Sequence, residues 1–382
     1  MSRSHDFTIG VEEEYQLVDA ATGALRSRAR YVISGDWAGE LKPEMQEHTI
    51  EVGTGVWRGS HGVRGDLARL RFMAAVAAEA EGMRIVAAGA HPFSPAGGHP
   101  FSDGPVYQEL REKYRALADE QAIFGMHVHV GVPSGTDRAR LCNVVRLHLP
   151  VLLALTASSP FWDGRDTGHA SYRSVVWRRW PRSGAPPRFA GMAEYDALVR
   201  WMVESGSIDG PGRLYWELRP HHGYPTVEVR VTDCTPRLDD AITAAALARA
   251  IVAGAAEGLL PDTPLPESFV QPLLSENGWR ASRHGTSAEM ADLESAEPRT
   301  ITAGEWAERL AERLEGVAAA LGDAAELARL PELLRRGCAA EAIRARAEQV
   351  GNGAALALWL ADETVAGAGM DRRLRPRLEE TV

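Results

Sequence analysis

Four glutamates and two histidines stand at alternate positions of otherwise apolar segments. They are Glu12 and Glu14 in TIGVEEEYQLVD, Glu51 in HTIEVGT, His127 and His129 in FGMHVHVGV, and Glu228 in TVEVRVTD, where Arg230 follows two residues later. Successive side chains of a strand point to opposite faces, so residues two apart share one. Ile9 and Val11, Ile50 and Val52, Val128 and Val130, and Val227 and Val229 then mark apolar faces, and the acids and imidazoles mark the opposite ones. Such polar faces can simply meet water, as one side of an antiparallel sheet often does, and HxH alone is a weak metal motif. A solvated face would mix Lys, Thr, Gln and Ser, whereas these hold carboxylates, imidazoles and one arginine, which favours a site. Converging carboxylates need cations, and an oxygen-rich set suits Mg²⁺ or Mn²⁺ better than zinc. Mg²⁺ in turn commonly sits between protein carboxylates and substrate phosphates. Glu13 falls on the apolar side and is expected to be exposed or ion-paired, not a ligand.

The elements that must carry these residues alternate between strands and helices up to about residue 235, and nearly everything after that reads as helical. This pattern predicts an α+β fold with a helical C-terminal part. Further strands are expected in RIVAAGA and in the pair LYWELRP and TVEVRVTD, a hairpin joined across HHGYP. Helices are expected at 64–82, 104–120, 136–158 with a kink at Pro150, 194–204 and 238–258. A further helix should start at the capping box TAGE from Thr302. Residues 159–192 and 260–300 read as long loops. The first is rich in arginine, tryptophan and proline, and is either a solvated connection or a segment whose arginines, Arg173 and Arg178 among them, close over phosphate. Trp177, Trp180 and Trp216 suit either a pocket lining or core anchors, and His221 and His222 are expected to face solvent. The expected organisation is one domain over 1–382: an α+β core over 1–260, a loop or lid over 261–300, and a helical part over 301–382 packed on the core.

Composition narrows the function. The chain has 382 residues, 45% hydrophobic and 25% charged, with a formal net charge of -10 and a pI of about 5.7. That balance argues against a nucleic-acid or anionic-membrane partner and for small molecules. Cys142, Cys234 and Cys338 are too far apart for a CxxC motif, which suits a reducing cytoplasm. The N-terminus has no apolar signal core, and the most apolar stretch, VVRLHLPVLLALT, is interrupted by Arg146, His148 and Pro150, so no membrane span is expected. Lys42 and Lys113 are the only lysines and no GxxxxGK[ST] occurs, which excludes a P-loop.

GVEEE at 10–14, ELKPEMQEHTIEVGT at 40–54, HVHVGV at 127–132, WELRPHHGYPTVEVRVTD at 216–233 and NGWRASRHG at 277–285 occur in order. Together they resemble the bacterial carboxylate–amine ligases of the glutamate–cysteine ligase type 2 group, in the wider glutamate–cysteine ligase and glutamine synthetase superfamily. The resemblance implies a glutamine synthetase-like catalytic fold: a curved, mostly antiparallel sheet forming a funnel-shaped active site, flanked by helices. It implies metal ligands at Glu12, Glu14, Glu44, Glu51, His127 and Glu228, with Glu44 in the turn after Pro43. It implies a catalytic and phosphate-contacting role for Arg230 beside Glu228, and puts His129 on the strand that contacts the nucleotide; Arg173 and Arg178, on the arginine-rich segment, are expected to contact phosphate as well. His129 stands where the better-known glutamate–cysteine ligases have an asparagine. Asn277, Trp279, Arg280 and Arg283 fall in a motif with an expected substrate or lid role.

The reaction so implied is ATP-dependent amide formation through an acyl phosphate, with L-glutamate and L-cysteine giving γ-glutamylcysteine as the group's named case. Mg²⁺ or Mn²⁺ is the expected cofactor and ATP the co-substrate. A homodimer is the expected assembly. The competing expectations are a metal-dependent hydrolase built on His127, His129 and Glu228, and a non-catalytic nucleotide-binding protein.

Overall fold

Alternation in the N-terminal segment produces β1 (Ile9–Asp19), with Ile9, Val11, Glu13 and Tyr15 buried and Gly10, Glu12 and Glu14 on the more open face. The structure, a computed structural model, describes residues 6–36, 38–351 and 353–369. Besides β1, the main sheet contains β2 (Lys42–Pro43), β3 (Thr49–Gly53), β4 (Met83–Val86), β5 (Met126–Gly131), β6 (Leu218–Pro220) and β7 (Thr226–Val229). Every pairing is antiparallel, the order is β2-β3-β1-β5-β7-β6, and the sheet is open. β1 is the hub. It pairs with β3 on one edge, and on the other with β5 through its first half and β4 through its second. The fold is thus α+β with an antiparallel sheet, as the pattern predicted.

Helices cover the apolar face. α1 (Ser60–Ala80) packs on β1, and α4 (Leu238–Ala256), buried along most of its length, packs on β5 and α1. A helix that is apolar on all sides belongs in a core, and this one lies in a hydrophobic cluster that runs from Phe7 to Leu333. The apolar segment around Pro150 splits into Arg138–Val145, a 3-10 turn and α2 (Leu149–Thr156). Pro150 sits in the first turn of α2, where its missing N–H costs nothing. The helix expected over 104–120 breaks at Arg115, which has a φ of 49°. The capping box forms as expected, between Thr302 and Glu305.

Glu13 resolves into an ion pair. It is buried under the sheet, where Arg71 of α1 donates to both carboxylate oxygens at 2.6 and 2.9 Å and the Tyr15 hydroxyl donates at 2.6 Å.

The two segments read as loops differ from expectation. Residues 159–192 contain a short helix, α3 (Tyr172–Trp177), whose N-cap Ser171 accepts from the Ser174 N–H. Residues 260–300 contain the 18-residue α5 (Glu267–His284), which packs on α2. Its buried positions, Val270, Leu274, Asn277, Gly278, Ala281 and Ser282, do follow a helical period. Asn277 and Gly278 replace apolar residues in that stripe and Pro272 lies inside the helix, so neither periodicity nor propensity reveals it.

Candidate active site

Strand register brings the polar residues together. Glu14 lies directly across from Glu51, Glu12 from His127, His129 from Glu228, and Glu228 from Arg219. These side chains, with Glu44 immediately after β2, line a cavity of about 280 Å³ over the polar face of the sheet.

One half of the cavity is acidic. Carboxylate oxygens of Glu14, Glu44 and Glu51 all lie within 4.8 Å of one another, and among the described residues no other such group of three occurs. Like charges directly across a ladder are destabilising. The one lysine nearby, Lys42, sits 3.8 Å from Glu51 and is more than half exposed. Burial, with the charge of Glu44 added, pushes Glu14 up to about 7. Burial and the charges of Glu44, Glu12 and Glu14 push Glu51 well above the usual carboxylate range, and burial raises Glu44 as well. Three hard oxygen donors with too few cations among them fit a hard divalent cation.

Glu12 behaves differently. Its Oε2 lies 3.2 Å from His127 Nδ1 and 3.3 Å from His129 Nε2. Burial would raise its pKa, but the two imidazoles overcome this and hold it ionised, far below the usual range. Burial, and then the charge of Arg230, depress His127 to about 4, so its ring is neutral at pH 7. A neutral ring facing an ionised carboxylate donates through Nδ1–H, which leaves the Nε2 lone pair available to a ligand.

The other half is basic. Glu228 is 1% exposed, and its oxygens accept from Arg219 Nε at 2.7 Å, Arg219 Nη2 at 3.3 Å and Arg230 Nη1. Burial opposes ionisation, but Arg230 and Arg219 hold the Glu228 carboxyl far below its usual range. Arg219 has little left to offer, because its Nη1 donates to the Gly212 and Leu214 carbonyls. Arg230 and Arg173 differ in that the Nε of each is buried without a partner. The Nη atoms of Arg173 reach the Val231 and Arg230 carbonyls at 3.3 and 3.4 Å, and the buried Asp233 carboxylate lies 3.7 Å from Nη1. Two guanidinium groups that line the same cavity as an acidic cluster suit phosphate oxygens bridged to cations.

Nine of the expected site residues therefore share the cavity: Glu12, Glu14, Glu44, Glu51, His127, His129, Arg173, Glu228 and Arg230. Glu228 was expected to join the acids, and instead both of its oxygens face arginines. It is therefore not free to complete a hydrolase-type set with His127 and His129.

The remaining five lie elsewhere. Arg178 reaches Glu217 and the Ser275 carbonyl, passing so close to Gly278 that a Cβ there would sit 2.0 Å from its Nη2. Asn277 is fully buried and its amide pairs with the backbone of Ala291 in both directions, at 2.9 and 2.8 Å. Arg280 pairs with Glu276 and the Glu289 carbonyl, Arg283 with the Gly168 carbonyl, and Trp279 is 46% exposed. Asn277, Trp279, Arg280 and Arg283 decorate the packed helix α5, while Arg178 caps α3 and reaches across to α5, so none of the five acts as a lid loop would.

The cavity also holds residues that the sequence reading passed over: Arg219, Gln46, Tyr107 and Tyr215. Arg219 was within reach, since it falls opposite Glu228 once the hairpin is given a register. Trp177 and Trp180 line the cavity, and Trp216 packs in a separate aromatic cluster with Phe189 and Tyr195. His221, expected in solvent, is half-buried at the cavity edge with its ring 5.4 Å from that of His129, and His222 is exposed.

The sequence matches the model of glutamate–cysteine ligase family 2 over residues 8–358. Among relatives provisionally named glutamate–cysteine ligase 2, one from Sorangium cellulosum is 39% identical over 88% of this chain and 90% of its own. Another, from Herpetosiphon aurantiacus, is 35% identical over 96% and 95%, respectively. Of solved structures, a bifunctional glutathione synthetase from Pasteurella multocida superposes with a TM-score of 0.68 at 17% identity, covering 96% of this chain and 53% of that one. This chain thus spans about half the length of that enzyme. A glutamate–cysteine ligase from Francisella tularensis, solved in complex with AMP, gives a TM-score of 0.61 at 13% identity over 99% and 95%. At these identities the structural likeness is one of fold. The chain belongs to glutamate–cysteine ligase family 2, and its activity is that of an ATP-dependent ligase that forms a C–N bond between a carboxylate and an amine.

Proposed function

We propose that the chain acts as a single ligase domain that activates a small carboxylate with ATP on the polar face of the sheet and then joins it to an amine. A carboxylate oxygen attacks the γ-phosphorus and ADP leaves; the amine nitrogen attacks the carbonyl carbon of the acyl phosphate, loses a proton, and phosphate departs. Positioning and charge stabilisation carry such chemistry, without a covalent enzyme intermediate. Arg230 and Arg173, which line the cavity, offer their guanidinium charge to the phosphates. Glu228, clamped by Arg219, holds Arg230 in place, a role we prefer to metal ligation because both of its oxygens are engaged. His129 lies beside Glu12 at the boundary between the two halves and completes the phosphate side. Glu14, Glu44 and Glu51, with Glu12 and the free Nε2 of His127, would hold Mg²⁺ or Mn²⁺. Such cations, when bound, offset the phosphate charge.

The observation that carries this reading is the acidic group and two guanidiniums lining one cavity. L-Glutamate and L-cysteine, for which the relatives are named, are the first substrate pair to test. The buried free thiols of Cys142, Cys234 and Cys338 suit the cytoplasm as its compartment, and a homodimer is the proposed assembly. The test is ADP release in ATP and Mg²⁺, screened over carboxylates and amines, with mass spectrometry of the product. Amide formation that requires both partners and stops on chelation supports the reading. ADP release without either partner, or turnover that survives exhaustive chelation, overturns it.

A further inference from the structure

Arg173 belongs to α3 and Arg230 follows directly on β7, so the two guanidiniums that line the cavity come from elements distant in the chain. What joins these elements is a buried polar group made of Asp233, Ser159 and Ser171, all fully inaccessible to solvent. The Asp233 carboxylate accepts from the Ser158 N–H at 3.0 Å and the Ser159 hydroxyl at 2.7 Å through Oδ2, and from the Ser171 hydroxyl at 2.8 Å through Oδ1. Each hydroxyl has one proton to give. Ser159 Oγ accepts from the Arg173 N–H at 3.0 Å, and Ser171 Oγ, the N-cap of α3, accepts from the Ser174 N–H, so both protons go to Asp233. The carboxylate thereby grips the backbone of the turn that carries Arg173, and it also lies 3.7 Å from Arg173 Nη1.

Two glycines make room for this arrangement. A Cβ at Gly89 would sit 2.5 Å from Asp233 Oδ2, and one at Gly125 would sit 2.3 Å from Arg173 Nη2. Gly125 forms an antiparallel bridge with Asp233, and its N–H donates to Glu14 Oε2 in the acidic half of the site.

We propose that Asp233 is a positioning residue of the ligase: through Ser159 and Ser171 it holds Arg173 in a fixed place beside Arg230, so that the two guanidiniums act on the phosphates as a pair. The proposal rests on the ATP-dependent reading above and adds a residue that is not among those lining the cavity. Arg173 needs such a support. Its bonds to the Val231 and Arg230 carbonyls, at 3.3 and 3.4 Å, are longer than the usual N–H···O range and hold it weakly. The fold alone does not call for a buried charge here, since well-packed apolar groups of the same volume often serve stability as well.

The test is calorimetric titration of the full chain with inorganic tripolyphosphate in Mg²⁺, with a melting curve for each variant. Asp233→Asn keeps the shape but puts an NH₂ group where one of the three donors must point, which loosens the first turn of α3. The sign of the effect is diagnostic. If Asp233 acted by charge alone, removing a negative charge beside a guanidinium would tighten anion binding, whereas a positioning role weakens it. Arg173→Met is expected to weaken tripolyphosphate by about 10- to 100-fold, the range for a hydrogen bond to a charged group, and Asp233→Asn by about 10-fold. The double variant should lose no more than Arg173→Met does, because the two residues act as one unit. Ser159→Ala leaves the carboxylate in place and cuts its link to the Arg173 N–H; it should reproduce the loss, and it decides the matter if Asp233→Asn does not fold. Unchanged or tighter binding in the folded Asp233 or Ser159 variant, or losses that add in the double variant, overturns the positioning role and leaves the ligase reading intact. A wild type that binds no tripolyphosphate, or an Arg173→Met that binds it as the wild type does, sinks the phosphate role of Arg173 and the positioning role with it. Coupled binding in a protein that forms no amide with any partner would sink the ligase reading and leave the positioning role standing.

Discussion

Replacing Glu14 with glutamine should stabilise the metal-free protein, and by an amount that depends on pH. The side chain keeps its shape and can still accept from the Gly125 N–H, so what changes is one negative charge among three. In the folded protein, burial and the charge of Glu44 raise Glu14 from 4.5 to about 7. The native state therefore holds this proton more tightly than the unfolded chain does, and stability falls as pH rises through the window from 4.5 to about 7. A gap of that size corresponds to about 3 kcal/mol once the window is passed. For a chain of this length that is a melting-temperature difference of about 4 °C. Glu44 and Glu51 release protons as a set with Glu14, so the transition is broad.

The assay is thermal unfolding of wild type and Glu14→Gln in chelator from pH 4 to pH 8, repeated with Mg²⁺. Near pH 4 the two proteins should melt together, and by pH 8 the variant should melt higher. Mg²⁺ should reverse the order by stabilising the wild type more. A difference that does not vary with pH, or a wild type that is the more stable at pH 8 in chelator, would refute the electrostatic reasoning.

Two further outcomes test the division between site and scaffold. Arg230→Lys keeps the charge and loses the planar fork, so ATP should bind nearly normally while kcat falls about 10²-fold in single-turnover ADP formation. Lower stability with unchanged turnover per folded molecule would make Arg230 a structural partner of Glu228 only. Asn277→Ala strands the backbone N–H and carbonyl of Ala291, so unfolding free energy should drop by about 2 kcal/mol with KM for every substrate unchanged. A tenfold rise in any KM would return the α5 motif to the active site.

Strand alternation made much of this architecture legible. Glu12 and Glu14 share a face because they are two apart, and the same rule holds for His127 and His129. That was enough to group seven of the nine cavity residues, Glu12, Glu14, Glu51, His127, His129, Glu228 and Arg230, while Glu44 rests on the family resemblance and Arg173 on the arginine-rich segment. It could not say which acid meets which base, because register depends on contacts between strands distant in the chain. Glu228 shows the consequence. Its type and position suggested one more metal ligand, and its partner across the ladder, Arg219, turns it into the anchor of an arginine pair.

The α5 segment failed for a different reason. Its motif residues are polar or small, and in a sequence such residues look functional because nothing local explains them. The explanation is tertiary: Asn277 substitutes for a backbone partner of Ala291, and Gly278 clears the path by which Arg178 reaches Glu217. Both residues act by holding one element against another. In this chain the motif marks a helix seam and not a ligand contact surface. The two are separated by asking whether the side chain's donors and acceptors are already spent: Asn277 has spent its pairing capacity on Ala291, while Arg173 and Arg230 have not.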